Sequence, residues 1–162
     1  HTLYLIGGRK QNSNGISDLY NTIFTFDLLT NQWTEEKSLP YALSAGTGVV
    51  YKNQILLFGG DKGETFHQTE KLIATINTAT DETTKRKLTE EKTALQSAHP
   101  GFSKEILKYN IITDRWDVIG NIPFATPVTT TAITWNNCFL IPSGEIRAGV
   151  RSPHILVAKI KK

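Results

Sequence analysis

The chain has 162 residues, a formal net charge of +3 at pH 7 and a single cysteine. Its acidic and basic residues are interspersed and it has no apolar run long enough to span a bilayer, so we expect no nucleic-acid or membrane partner. One cysteine excludes an internal disulfide, and its place in the apolar run 138–141 predicts that Cys138 is a buried structural thiol.

Two parts of the chain repeat the same order of strand and turn signals. An apolar run that ends in a glycine pair occurs at residues 3–8 and again at 55–60, as expected for a buried strand that stops at a turn. Later in each repeat, an aromatic residue is followed seven positions on by a tryptophan. These two pairs are Phe26 with Trp33 and Tyr109 with Trp116. A turn signal between the two aromatic residues predicts a β-hairpin in both repeats.

The order of these signals resembles the kelch motif. A proline and a strand rich in Thr, Val and Ala follow each tryptophan, and an Asn turn then leads into the next apolar strand. A kelch repeat forms a four-stranded antiparallel blade of a β-propeller, whose strands we label a to d from the centre outward. The sequence therefore predicts an all-β, kelch-type β-propeller segment of about two and a half blades.

The same signals predict the blade boundaries. Residues 1–40 are expected to form a blade without strand a, residues 41–122 a complete blade, and residues 123–162 a blade without strand d. In the last of these, residues 155–160 are the predicted strand c, whose unpaired outer edge would be a template for aggregation. The chain has no methionine and begins with His1, so we expect the remaining blades in an N-terminal part of the protein, or on a separate chain.

The second blade is longer than the first. Its glycine pair and its tryptophan lie much farther apart, which predicts an insertion at about residues 62–103 between strands b and c. Apolar residues spaced among charges over 69–97 predict two amphipathic helices, with Asp81 as the N-cap of the second and a turn at 99–101. We expect the charges to be solvated; a partner helix or a lid is the alternative.

The b–c loops and d–a connections of a propeller lie on one face, which we call the rim. The segments expected there are Arg9, the insertion with His67 and His99, the Pro40-Tyr41 and Pro123-Phe124 corners, and residues 143–152. In the last segment, Pro142-Ser143-Gly144-Glu145 stands where the repeat has its glycine pair, and Arg147 and Arg151 follow it. The planar donors of an arginine guanidinium match the oxygens of a carboxylate, and a glutamate can transfer a proton, so this loop suits an anionic sugar. A surface salt-bridge cluster is the alternative.

The run Gly144-Glu145, followed by Gly149-Val150-Arg151, resembles the Gly-Glu and Gly-Leu-Arg segment of the N-acetylneuraminate epimerases (sialic acid mutarotases), which are six-bladed kelch propellers. The helical insertion in the blade before it is also similar to theirs. The resemblance implies that the substrate is sialic acid or a related acidic sugar, whose anomers are interconverted by acid–base ring opening. It implies Glu145 as the proton acceptor and Arg151 as a substrate-binding residue. Arg147 and Arg9 are further candidates for binding the sugar.

The resemblance also implies the cyclically permuted branch of that family, a reaction without metal or organic cofactor and, by analogy, a periplasmic or exported protein. No His, Cys and Asp spacing in the sequence is typical of a metal site. We expect His67 and His99 to be structural, with His99 fixed by the turn that follows it. The alternative function is a non-catalytic kelch propeller that binds a protein or a sialylated glycan.

Overall fold

The computed structural model describes residues 1–159, which form fourteen β-strands and two α-helices. The elements are β1 (Thr2–Ile6), β2 (Arg9–Gln11), β3 (Ser17–Leu19), β4 (Ile23–Asp27), β5 (Gln32–Glu35), β6 (Thr47–Tyr51), β7 (Gln54–Phe58), α1 (Glu64–Thr78), α2 (Glu82–Ser97), β8 (Glu105–Asn110), β9 (Arg115–Asn121), β10 (Ile133–Trp135), β11 (Cys138–Pro142), β12 (Glu145–Arg147), β13 (Val150–Arg151) and β14 (Ile155–Lys159).

Three antiparallel sheets follow one another along the chain. Their strand orders are β1-β4-β5, β6-β7-β8-β9 and β10-β11-β14. In each sheet the strands lie in the order in which the chain forms them, which is the meander of a propeller blade. The predicted β-propeller fold with a helical insertion is therefore confirmed. The predicted strand 155–160 is present as β14, and Ile160 lies outside the described residues.

The repeated aromatic residues are cross-strand partners. Phe26 of β4 pairs with Trp33 of β5, and Tyr109 of β8 pairs with Trp116 of β9. Their ring centroids lie 4.8 Å and 4.9 Å apart. The seven-residue spacing in the sequence is thus the length of a hairpin that places two aromatic rings opposite each other, where such pairs stabilise a sheet.

Two apolar cores hold the three sheets together. The core between the first two sheets contains Ile23, Leu39, Leu43 and Leu107, all buried. The core between the second and third sheets contains seven buried apolar residues. They are Val49, Leu56, Phe58, Ile122, Ala132, Phe139 and Ile141. Because both faces of the middle sheet are covered, its strands β7 and β8 carry much of the buried apolar surface of the molecule.

The insertion forms two helices, as predicted, but α1 begins at Glu64, before the predicted stretch 69–97. The Asp81 carboxylate accepts a hydrogen bond from the Thr84 N–H at 2.7 Å, so Asp81 is the N-cap of α2, as predicted. The two helices pack on each other, and in the sequence they lie between β7 and β8. Among the described residues, neither helix is long and apolar enough to cross a membrane.

Two short hairpins were not predicted. Strands β2 and β3 pair with each other, and so do β12 and β13, and each hairpin lies between strands b and c of its blade. Their polar residues lack the apolar alternation that marks a strand, so the sequence indicated loops. Cys138, expected to be buried, is half-buried because it opens β11 directly after a turn.

Replacement of Leu107 with alanine tests the core between the first two sheets. Leu107 is 1% exposed, whereas Leu29 is 73% exposed and serves as a matched control. In the full-length protein we expect Leu107→Ala to lower the free energy of unfolding by about 2–5 kcal/mol, because it leaves a cavity. Leu29→Ala should change it by less than about 0.5 kcal/mol. Urea denaturation measures both; equal effects would contradict this packing.

Candidate active site

A pair of residues in the left-handed conformation ends strand b of every sheet at the rim. The pairs are Gly7-Gly8 (φ 57° and 105°), Gly59-Gly60 (φ 70° and 100°) and Ser143-Gly144 (φ 51° and 109°). The third blade therefore departs from the repeat in sequence but keeps its backbone conformation. A Cβ on Gly144 would lie 2.7 Å from the Val128 carbonyl oxygen, so this position also requires glycine for space.

Glu145 follows this pair directly and is held on both sides. Val128 N–H donates to the Glu145 carbonyl at 2.8 Å, and Glu145 N–H donates to the Val128 carbonyl at 3.0 Å. Across the β12–β13 turn, Gly149 N–H donates to the carboxylate oxygen Oε1 of Glu145, a half-buried residue, at 2.8 Å. The main chain and one carboxylate oxygen are therefore fixed before any ligand binds.

Arg151 lies directly opposite Glu145 in the β12–β13 ladder. Opposite residues of an antiparallel pair project from the same face, so the carboxylate and the exposed guanidinium share one side of the hairpin. A register shift between Glu145 and Arg147 breaks the strand alternation. Arg147 lines a neighbouring cavity of about 260 Å³ with His99 and Lys104 instead.

The helical insertion is tied to the β2–β3 hairpin of the first blade. The buried carboxylate of Glu70 accepts hydrogen bonds from the Ser17 N–H at 2.8 Å and from the Ser17 hydroxyl at 2.7 Å. Arg9 donates to Ser17 Oγ at 3.1 Å, lies 3.8 Å from the Glu70 carboxylate and stacks 4.9 Å from the Phe66 ring centroid. Arg9 thus belongs to strand β2 and takes part in this contact, while its side chain stays 49% exposed.

These segments line an open rim cavity of about 410 Å³ between the two hairpins and the helical insertion. Its polar and charged lining residues are drawn from all three blades. They include Arg9, Asp61, Glu70, Gln96, His99 and Glu145. A monosaccharide fits a cavity of this size. Of the four site residues that the sequence predicted, the structure places Arg9 and Glu145 in the cavity wall, Arg151 beside Glu145, and Arg147 in the neighbouring cavity.

Both histidines of the insertion have structural contacts, as predicted. His67 Nε2 lies 2.9 Å from the Ser17 carbonyl, and because a carbonyl only accepts, this nitrogen carries the proton. His99 Nδ1 accepts a hydrogen bond from Gly101 N–H at 3.0 Å within the predicted turn. Among residues 1–159, no group of three or more His, Cys, Asp or Glu side chains is arranged to hold a metal ion.

Sequence reasoning missed a second charged cluster at the rim. Glu105 Oε2 accepts hydrogen bonds from the Tyr41 hydroxyl at 2.5 Å and from Lys62 Nζ at 2.6 Å, while the Lys62 ammonium lies 4.0 Å from the Tyr41 ring centroid. The hydrogen bonds from Lys62 and Tyr41 lower the pKa of Glu105, and burial with the bond to Glu105 raises the pKa of Tyr41. These residues are too far apart in the sequence to form a motif, and they hold together the two ends of the insertion.

Removal of the Glu70 carboxylate tests the attachment of the insertion. Glu70→Ala leaves the buried N–H and hydroxyl of Ser17 without an acceptor, at a cost of about 1–3 kcal/mol. We expect the free energy of unfolding of the full-length protein to fall by that amount, and amide exchange in α1 to become faster. Glu91→Ala, at an exposed position of α2, is the control. Unchanged exchange in α1 would show that Glu70 does not hold the helix.

Comparison with known proteins gives a consistent result. A family model described as N-acetylneuraminate epimerase matches residues 1–162. N-acetylneuraminate epimerases are 26% identical over 152 residues in Salmonella enteritidis and 25% identical over 161 residues in Vibrio vulnificus. These alignments cover 93% and 94% of this chain but 39% and 41% of the relatives, so the chain spans about two fifths of their length.

A solved structure shows the same fold. The structure of YjhT superposes on 98% of this chain with a TM-score of 0.79 at 18% sequence identity, and the match covers 46% of that protein. The match of the family model over the whole chain decides the family. The chain belongs to the N-acetylneuraminate epimerase family.

Proposed function

We propose that the protein containing this chain interconverts the anomers of N-acetylneuraminate, with Glu145 as the proton acceptor and Arg151 as the residue that binds the sugar carboxylate. One observation carries the proposal: Glu145 and Arg151 are opposite residues on a hairpin whose base is fixed at the rim. The membership of the family supports the substrate class. The relatives from Salmonella and Vibrio are named for the same sugar.

Ring opening requires two proton transfers, reclosure reverses both, and neither step changes an oxidation state. The Glu145 carboxylate takes the proton of the anomeric hydroxyl at C2 while an acid donates a proton to the ring oxygen. The bond between C2 and the ring oxygen breaks. An electron pair of the alkoxide oxygen on C2 then forms the carbonyl of the open-chain keto acid. Reclosure on the opposite face of that carbonyl, with the protons moving in reverse, gives the other anomer.

The fixed geometry of Glu145 suits a base. Gly149 N–H binds Oε1, which leaves Oε2 as the oxygen that can take a proton from the sugar. The bonds between the main chains of Glu145 and Val128 restrict the position of the carboxylate, so little ordering is needed when the substrate binds. A general base accounts for part of the acceleration of the reaction, and the loss of rate when Glu145 is replaced measures that part.

Arg151 suits the carboxylate of the sugar. Its guanidinium presents planar donors that match both oxygens of a carboxylate. It is exposed and lies across the ladder from Glu145. Because the carboxylate of the sugar is attached to C2, a sugar whose carboxylate contacts Arg151 has C2 on the same side of the hairpin as the base. This arrangement places the reacting atoms, rather than the distal end of the sugar, at the hairpin.

Replacement of Glu145 with glutamine tests the proposed base. We expect full-length wild-type protein to accelerate the exchange between the α and β anomers of N-acetylneuraminate. Because an amide takes up no proton at neutral pH, Glu145→Gln should reduce this acceleration by about 10²- to 10⁴-fold. NMR exchange spectroscopy measures the rate, and chemical-shift titration measures binding. Glu91→Gln is the matched control on an exposed face of α2.

Three results of that experiment are distinct. Faster exchange that is lost in Glu145→Gln but kept in Glu91→Gln supports the proposal. Binding of the sugar without faster exchange in the wild type contradicts catalysis and favours a sialic acid-binding propeller. If the wild type neither binds the sugar nor accelerates its exchange, the proposal fails, and the result favours a propeller that binds another protein.

Replacement of Arg151 with lysine tests the carboxylate contact. Lysine keeps the charge but loses the planar pair of donors, so we expect KM for N-acetylneuraminate to rise by about tenfold. Arg147→Lys should have a smaller effect, since Arg147 lines the neighbouring cavity. The remote Arg115→Lys variant, at the start of β9, is the control. A larger effect of Arg147→Lys than of Arg151→Lys would assign the carboxylate to the neighbouring cavity.

A further inference from the structure

Asp61 occupies in the second blade the position that Glu145 occupies in the third. It follows the left-handed pair Gly59-Gly60 directly, as Glu145 follows Ser143-Gly144. Asp61 forms an isolated antiparallel bridge with Ser44, in the connection that leads into strand a, and Glu145 forms the same bridge with Val128. Each bridge continues the register of its a–b ladder, three residues beyond the last pair in the second blade and five residues beyond it in the third.

The two carboxylates are therefore presented by equivalent backbone positions of neighbouring blades, and both line the rim cavity. The main chain of Asp61 is held as firmly as that of Glu145, with hydrogen bonds to and from Ser44 at 2.8 Å and 3.0 Å. Asp61 Oδ1 accepts a hydrogen bond from Gly63 N–H at 2.8 Å at the start of α1. This bond uses one oxygen, so Oδ2 is the oxygen that can accept a hydrogen bond from a ligand.

The charges around the cavity determine which part of a sugar can lie near Asp61. The Glu70 carboxylate is buried against the donors of Ser17 and lies 3.8 Å from Arg9, so these two opposite charges offset each other. The remaining charged groups named in the cavity wall are the carboxylates of Asp61 and Glu145. They repel the carboxylate of an acidic sugar and accept hydrogen bonds from its hydroxyl groups.

We propose that Asp61 is a specificity-determining residue, which accepts hydrogen bonds from hydroxyl groups of the sugar while the sugar carboxylate lies on the Arg151 side of the hairpin. This inference rests on the proposed function and extends it to the orientation of the substrate. The acidic end faces the hairpin, and the hydroxyl-bearing end extends across the cavity toward the second blade. Asp61 takes no part in the proton transfers, so its loss should weaken binding and leave the chemical step intact.

The variant Asp61→Asn separates this function from a structural one. Asparagine keeps a carbonyl oxygen for Gly63 N–H, so the start of α1 is preserved, but it replaces an ionised acceptor with a weaker neutral one. In the full-length protein we expect KM for N-acetylneuraminate to rise by about tenfold, with kcat changed by less than about threefold. The thermal midpoint should remain unchanged. Asp18→Asn, which removes the same charge from an exposed position of β3, should leave both constants unchanged.

The outcomes distinguish this inference from the proposed function. If the wild type accelerates anomer exchange and the KM of Asp61→Asn equals that of the wild type, the assignment of Asp61 is wrong while the proposed function stands. A fall in kcat with unchanged KM would make Asp61 part of the proton transfer and would also overturn the assignment. If the wild type neither accelerates exchange nor binds the sugar, the proposed function has failed, and the assignment of Asp61 fails with it.

Discussion

The left-handed pair at the end of strand b is the constraint on which the rim depends. It turns the chain out of the sheet, and in the second and third blades it returns the next residue to the register of the a–b ladder, where a backbone bridge fixes it. Only residues that tolerate positive φ can form the pair, and at Gly144 a side chain would also meet the Val128 carbonyl. The position that follows the pair carries no such restriction. Arg9, Asp61 and Glu145 show that each blade can present different chemistry from the same backbone.

The helical insertion converts this repeated rim into one asymmetric cavity. Helix α1 reaches back to the first blade through Glu70 and Ser17, while the segment after α2 passes beside the β12–β13 hairpin of the third. The buried Glu70 carboxylate is satisfied by Ser17 and Arg9, so the insertion is held by hydrogen bonds rather than by a large apolar contact. Residues from three blades thus line the cavity, and the helical insertion of the second blade shapes it.

The repeats of the sequence were sufficient to predict the blades because strand, turn and aromatic signals recur with a fixed spacing. Helix α2 was predicted from the capping residue Asp81, which is a local signal. The hairpins β2–β3 and β12–β13 were missed because polar strands carry no periodic pattern. The place of Asp61 in the cavity wall and the contact between Glu70 and Ser17 were missed for a different reason: they depend on residues that are brought together by the stacking of blades.

The most direct test of the account is the structure of the full-length protein with N-acetylneuraminate bound. We expect the sugar to occupy the rim cavity with its carboxylate on Arg151 and its anomeric hydroxyl within about 3.2 Å of the Glu145 carboxylate. A sugar bound in the reverse orientation, with its carboxylate toward the second blade, would contradict the proposed substrate orientation. A sugar bound away from the β12–β13 hairpin would contradict the assignment of Glu145 and Arg151 altogether.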